Sequence, residues 1–139
     1  LCTVREVGHY SCRSMTGNCA ALQSLADEPG RVQMNPADAD KLGITDGQLV
    51  WVRSRRGKVI SRASISERIN AGAVYMTYQW WIGACNELTQ DNLDPISKTP
   101  ETKYCAVQLE AIEDQRWAED YAASAYQSMK SRLISAANV

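Results

Sequence analysis

The segment RVQMNPADADKLG, residues 31–43, contains the clearest structural signals in the sequence. Its first four residues favour a β-strand. Asn35 then provides an N-cap for a helix, and Pro36 occupies the first helical position, where its missing N–H has no cost. Gly43 supplies the left-handed residue that ends the helix. The segment therefore predicts a strand followed by a short helix.

Short strands are predicted on both sides of this unit. They cover residues 3–7, 49–54, 58–66, 73–78 and 104–112. Many short strands with tight turns and few helices are typical of a small β-barrel with peripheral helices. We therefore expect a mainly β, α+β fold. One domain over residues 1–139 is expected, because a single core commonly takes about 100–200 residues.

A long helix is predicted at the end of the chain. Asp114 is placed to cap it, and the helix extends to about Ala137. Apolar residues recur at every fourth position along it, at Trp117, Tyr121, Ala125, Met129 and Leu133. This spacing predicts one apolar stripe that packs either against the rest of the domain or against other parts of a larger parent protein.

The composition excludes several classes of function. Fifteen basic and sixteen acidic residues give a net charge of −1, so no field of one sign attracts nucleic acid or an anionic membrane. No apolar stretch approaches the ~20 residues that a membrane span requires. The five cysteines form no Cys-x-x-Cys pair, and a single histidine excludes metal sites that need two imidazoles. We expect reduced thiols and a cytoplasmic protein.

The polar residues favour ligand binding over catalysis. Residues 8–18 have no hydrophobic period, and such a long polar loop is commonly functional. Arg5 and Lys103 suit phosphate groups, although both are equally compatible with surface charges. Tyr78 can stack on a heterocycle, or it can simply be a half-buried residue of a strand. The side-chain amide of Asn86 can pair with the edge of a heterocycle, or it can cap a helix or turn. The set predicts a β-rich domain for a large, flat, anionic ligand.

A cysteine-dependent enzyme is a second possibility. His9 lies three residues from Cys12. A nucleophile also needs a base that a third group orients, and spacing alone supplies no such group.

The opening segment TVREVGHYSCRSMT, residues 3–16, resembles the start of the C-terminal domain of the molybdopterin-guanine-dinucleotide oxidoreductases. This family includes formate dehydrogenases, periplasmic nitrate reductases and dimethyl sulfoxide reductases. Further segments resemble it in the same order along the chain, at residues 34–39, 43–47, 50–57, 72–76, 86–89 and 94–103. The segment YMTYQWWIGACNEL, residues 75–88, is most similar to the formate dehydrogenases.

The resemblance implies a six-stranded double-psi β-barrel with a C-terminal helix. Such a domain acts as a lid over a bis-molybdopterin guanine dinucleotide that carries molybdenum or tungsten. It would bind only part of this cofactor and would contain no catalytic residue and no metal ligand. The cofactor contacts that the resemblance implies are Thr3, Arg5, Glu6, His9, Tyr10, Ser11, Cys12, Tyr78, Asn86 and Lys103. Thr102 departs from the family pattern, which commonly has an aromatic residue before the lysine.

The resemblance also implies that the chain is a fragment of a larger, cytoplasmic oxidoreductase that oxidises formate to carbon dioxide. An iron–sulfur cluster is expected in that parent and not in this chain. Its partners would be the remaining domains and an electron-transfer subunit, with neither nucleic acid nor membrane involved. The alternative is a double-psi barrel that serves as a protein-interaction module without a redox role. Asn86 and Lys103 together favour the cofactor, because an adaptor has no reason to carry both.

Overall fold

The computed structural model describes residues 1–137, apart from the side chains of 133, 134, 136 and 137. Six strands form one mixed sheet in the order β1-β5-β2-β4-β3-β6. Their bounds are Cys2–Val4 for β1, Arg31–Met34 for β2, Leu49–Arg53 for β3, Lys58–Ile65 for β4, Val74–Thr77 for β5 and Gln108–Ala111 for β6. The pairs β1–β5 and β2–β4 are parallel, and the other three pairs are antiparallel.

Strand pairing leaves the sheet open between its edge strands, β1 and β6. The predicted six strands and α+β class are confirmed, but the paired strands alone do not close a barrel. The segment before β6 nevertheless hydrogen-bonds to β1. The N–H of Thr3 donates to the carbonyl of Lys103 at 2.9 Å, and Cys105 and Leu1 exchange two bonds of 2.8 and 3.0 Å.

Three helices surround the sheet. They are α1 (Ala20–Gln23), α2 (Pro36–Leu42) and α3 (Gln115–Ala137), with 3-10 helices at Thr16–Asn18 and Cys85–Glu87. The ends of α2 follow the sequence signals: Oδ1 of Asn35 accepts a hydrogen bond from the N–H of Ala37 at 2.9 Å, and Gly43 has φ 64°. No helix within residues 1–137 is both long enough and apolar enough to cross a membrane.

The main core lies on one face of the sheet. Its fully buried members alternate along the central strands and include Val32, Met34, Val50, Val52 and Met76. A smaller cluster on the other side joins Leu49 and Ile60 to residues of α3. Burial of these apolar side chains stabilises the fold by about 25 cal/mol per Å² of area removed from water.

The predicted stripe of α3 is only partly the face that packs on the sheet. The residues that pack on Leu49 and Ile60 are Ala118 and Ala122, whereas Trp117 and Tyr121 remain 47% and 41% exposed. Small side chains let the helix backbone approach the sheet closely. The two aromatic rings stack on each other at 5.2 Å and lie beside Trp51 at the rim of this contact. Ala125 and Met129 are half-buried, and the side chain of Leu133 lies outside the described residues.

Candidate functional site

The polar loop that follows β1, residues 5–18, is held to the segment after β5 by two buried side chains, of which the first is Gln79. Gln79 is 1% exposed, and its Oε1 accepts a hydrogen bond from the N–H of Glu6 at 2.9 Å. Its Nε2 donates to the carbonyl of His9 at 2.6 Å. One amide therefore fixes two points of the loop backbone.

A buried arginine provides the second anchor. The Nε–H of Arg13 donates to the carbonyl of Gln79 at 2.8 Å, and its guanidinium forms an ion pair with Glu28. The ring of Trp80 lies 4.4 Å from the guanidinium carbon. Glu28 in turn accepts from the N–H groups of residues 81 and 82, at 2.7 and 3.0 Å. The pair thus joins the loop to the segment after β5.

His9 contributes to the same internal scaffold. Its Nε2 lies 2.8 Å from the carbonyl of Ala26, and its Nδ1 lies 3.0 Å from the hydroxyl of Thr16. A carbonyl only accepts, so Nε2 carries the proton and the Thr16 hydroxyl can donate to Nδ1. The N–H of Tyr10 donates to that hydroxyl at 3.2 Å. Both ring nitrogens of this buried histidine are therefore used by the protein.

An open cleft of about 440 Å³ lies against the outer side of the loop. Arg5, Glu6, His9 and Tyr10 are among the residues that line it. Among residues 1–137, no protein acceptor pairs with the backbone N–H groups of the loop positions 7, 8, 11 and 12. Of these four positions, 7 and 8 are among the lining residues, so the cleft combines the Arg5 cation with two backbone donors that have no protein acceptor within residues 1–137.

The sheet register brings four of the predicted residues to one edge. Thr3 pairs with Met76 across β1 and β5, so that Arg5 continues beside Tyr78, with its guanidinium carbon 6.0 Å from the ring centre. On the other side of β1, the hydroxyl of Thr3 donates to the carbonyl of residue 102 at 2.8 Å, next to the exposed Lys103. Thr3, Arg5, Tyr78 and Lys103 thus lie around the end of β1.

Glu6 has the least satisfied side chain of the loop. Its Oε2 is buried without a hydrogen-bond partner among the described residues. Burial raises the pKa of this carboxyl above its ordinary value, and the nearby positive charge of Arg31 opposes the shift. A buried carboxyl oxygen without a partner favours the neutral acid, which is the physical cause of the raised pKa.

Three of the predicted residues have no contact that joins them to this edge. Asn86 is exposed in its 3-10 helix, where its carbonyl accepts from the hydroxyl of Thr89 at 2.9 Å. Within residues 1–137, no hydrogen bond links it to the loop. Ser11 and Cys12 are exposed at the turn of the loop, where Ser11 has φ 47°.

Reasoning from the sequence missed Arg13, Glu28 and Gln79. All three are buried polar residues whose partners are distant in sequence. The hydrophobic patterns that predict helices and strands do not predict that these residues are buried. A weak signal was available, because an arginine in a polar loop must find a carboxylate or a carbonyl when it is buried. Within residues 1–137, no three His, Cys, Asp or Glu side chains are grouped as metal ligands.

Comparison with known proteins identifies the family. Residues 1–106 match the family described as "Molydopterin dinucleotide binding domain". The chain belongs to this family of molybdopterin dinucleotide binding domains. The sequence is 67% identical to formate dehydrogenase H of Escherichia coli over 137 residues, which are 99% of this chain and 19% of that protein.

Two other relatives are more distant. The chain is 41% identical to the alpha subunit of F420-dependent formate dehydrogenase 2 of Methanococcus maripaludis, over 81% of the chain and 16% of that subunit. It is 35% identical to the periplasmic nitrate reductase of Campylobacter fetus, over 78% of the chain and 12% of that enzyme. The chain therefore spans at most 19% of the length of these relatives.

A solved structure supports the fold alone. Acetylene hydratase from Pelobacter acetylenicus superposes with a TM-score of 0.66 at 18% identity. The match covers 81% of this chain and 18% of that one.

Proposed function

We propose that this chain is the cofactor-binding domain of a molybdenum or tungsten formate dehydrogenase and contacts part of a bis-molybdopterin guanine dinucleotide. The observation that carries the proposal is the anchored loop after β1, which lines one cleft with the Arg5 cation, with Glu6 and with backbone positions 7 and 8, whose N–H groups have no acceptor among the described residues. A pterin dinucleotide has phosphates, fused rings and amino edges, which need these kinds of group.

The phosphates of the cofactor fit the basic residues at the end of β1. Arg5 would bind phosphate oxygens as a fork and Lys103 as a point charge, since both are exposed. The free N–H groups of the loop add neutral donors of the kind that form anion-binding concavities. Each charge-assisted contact contributes about 1.5–3 kcal/mol when it is well desolvated.

The ring systems fit the remaining side chains. Glu6 lines the cleft and would accept hydrogen bonds from the amino and ring N–H groups of a guanine or pterin. Tyr78 would stack or donate its hydroxyl, and Asn86 would offer its amide edge. The other residues proposed to line the cofactor are Thr3, His9, Tyr10, Ser11 and Cys12, of which His9 contributes its position and backbone.

The redox reaction belongs to the whole enzyme. When bound, the metal-carrying cofactor supplies the two-electron chemistry that converts formate to carbon dioxide. The relatives whose names include formate dehydrogenase are about five times as long as this chain, so the remaining domains would complete the cofactor site. We place an iron–sulfur cluster and the docking site for an electron-transfer subunit in those domains. The 139-residue chain alone should therefore reduce no viologen dye with formate.

Exposed apolar residues around the loop support a larger assembly. Val7 is 94% exposed, and Tyr10, Met15 and Leu25 are also exposed on the same loop and on the turn that follows α1. Such residues on the rim of a cleft are typical of an interface that another part of the protein covers. The five cysteines are all free, which supports a reducing, cytoplasmic location.

We also infer that the complete fold is a double-psi β-barrel. Support comes from the mixture of parallel and antiparallel pairs and from the hydrogen bonds between residues 1–3 and 103–105. These bonds give the otherwise open edge of β1 a neighbour that continues into β6.

Cofactor content of the full-length enzyme tests the proposed function. R5Q and K103Q should each weaken cofactor binding by roughly tenfold for a lost charge-assisted contact, and so lower the guanine nucleotide that acid releases per mole of purified enzyme. K41Q, which removes an exposed lysine of α2, is the matched control and should leave the content unchanged. Equal cofactor content in all three variants would refute the proposal.

A further inference from the structure

We propose that Arg13 is a positioning residue that holds the loop after β1 in the conformation that binds cofactor. The inference rests on the proposed function and deepens it, because it names the group that prepares the binding loop. Arg13 is not among the residues that line the cleft, so its effect would be transmitted through Gln79.

The contacts of Arg13 explain why an arginine is needed. Its side chain is only 3% exposed, and that of its partner Glu28 is 4% exposed. The guanidinium combines the ion pair with a bond to the carbonyl of Gln79 and lies over the face of Trp80. Only a planar, multidentate cation makes these three contacts at once. A lysine would keep the charge but lose the fork and the stacking.

The conformation of the loop needs such an anchor. Gly8, Ser11 and Arg13 all have positive φ, at 104°, 47° and 64°. Left-handed backbone is disfavoured for residues with a Cβ, and it persists where surrounding contacts fix it. The N–H of Arg13 also donates to the carbonyl of Tyr10 at 2.9 Å, which closes the turn between them.

Gln79 carries the effect to the cleft. Its backbone carbonyl is held by Arg13, while its side-chain amide holds the N–H of Glu6 and the carbonyl of His9. Displacement of Gln79 would release both loop positions together. The cation and the free N–H groups would then lose their common orientation towards the cofactor.

The test uses the full-length enzyme that contains this domain. R13K keeps the buried positive charge and removes the planar guanidinium. R62K makes the same exchange in the Arg62–Glu119 ion pair between β4 and α3 and is the control. We expect R13K to lose bound cofactor roughly three to ten times faster than the parent at a temperature below its melting transition. R62K should lose cofactor at the parent rate, whatever its own change in melting temperature.

The readout separates positioning from general stability. If Arg13 contributed only to general stability, R13K and R62K would lose cofactor equally fast when each is measured at the same interval below its own melting temperature. That result would overturn the inference. Should R13K fail to fold, R13Q/E28Q removes both buried charges together and is expected to give the same faster loss. An unchanged rate in that folded double variant would also overturn it.

R5Q distinguishes the inference from the proposed function. If R5Q lowers cofactor content while R13K retains cofactor as the parent does, only the positioning role of Arg13 fails. If neither R5Q nor K103Q changes cofactor content, the proposed function itself fails.

Discussion

The side-chain Oε1 of Gln79 accepts a hydrogen bond from the backbone N–H of Glu6 at 2.9 Å, although the two residues are 73 positions apart in sequence. This bond fixes the first turn of the polar loop against the end of β5. The same amide binds the carbonyl of His9, so the loop has two backbone anchors on one side chain.

Replacement of Gln79 by Leu should therefore destabilise the chain. The apolar side chain leaves one N–H and one carbonyl of the loop without partners, at a cost of about 1–3 kcal/mol each when they stay buried. The loss is measured as the free energy of unfolding in urea. Q48L is the control, because Gln48 holds a single exposed N–H of a surface turn. Equal unfolding free energies for Q79L and the parent chain would show that the loop is not held in this way.

Gly30 is predicted to tolerate no side chain. Its φ is +71°, and a Cβ would lie 1.9 Å from Cδ1 of the buried Trp80. G30A should combine the left-handed backbone cost of about 1–2 kcal/mol with overpacking of about 1–3 kcal/mol. Gly43 has a similar φ of +64° and open space around it, so G43A should show the backbone cost alone. Guanidinium unfolding midpoints compare the two, and a smaller loss in G30A than in G43A would contradict the packing around Trp80.

The ionisation of Glu6 should oppose folding at neutral pH. Because burial raises its pKa in the folded state above the ordinary value of 4.5, folding favours the protonated acid. The stabilisation that the protonated Glu6 gives to the folded state is present below the ordinary pKa and is lost as pH rises through the pKa of the folded state. E6Q should therefore be more stable than the parent at pH 7, with a difference that vanishes in acid. Urea titrations at a series of pH values measure it.

Glu119 is the control with the opposite sign. Its hydrogen bond to Arg62 holds the pKa of this exposed carboxyl below its usual range. The stabilisation is present at neutral pH and is lost as pH falls through the folded pKa. E119Q should be less stable than the parent at pH 7 and equal to it in acid. If E6Q and E119Q shift stability in the same direction at pH 7, the assigned environment of Glu6 is wrong.

Alkylation should separate the two exposed cysteines from the two buried ones, with the half-buried Cys2 between them. Burial raises the pKa of Cys85 to about 12, which leaves about one thiolate in ten thousand at pH 8. Cys105 is also buried, whereas Cys12 and Cys19 are exposed. Mass spectrometry after iodoacetamide treatment should find Cys12 and Cys19 modified first, with Cys85 and Cys105 modified only on unfolding. Rapid modification of Cys85 in the folded chain would mean that the core around it is open.

Local signals in the sequence were sufficient for part of the fold. Asn35, Pro36 and Gly43 define α2 because each acts within a few residues of its own position. The strands β2, β3 and β4 were placed to within a residue for the same reason. By contrast, β1 ends at Val4 and not at residue 7, because the chain turns away there to form the loop that Gln79 holds.

The interior of the site could not be predicted because it depends on distant partners. Arg13 meets Glu28 across 15 positions and Gln79 across 66, and no periodic pattern connects them. The buried face of α3 was missed for a related reason, since the distance between helix and sheet decides whether Ala118 or Trp117 faces the core. The resemblance to the family motif predicted that the loop after β1 is a candidate for binding cofactor. The three-dimensional contacts were needed to show which side chains hold the loop in place.

Hydrogen exchange of the full-length enzyme, purified with and without its cofactor, tests the central claim most directly. If the loop after β1 binds the cofactor, amides of residues 5–16 and of the 75–88 segment should exchange more slowly in the loaded enzyme. Those of the β3–β4 hairpin at residues 49–65 should exchange at the same rate in both forms. Equal exchange of residues 5–16 with and without cofactor would contradict the account.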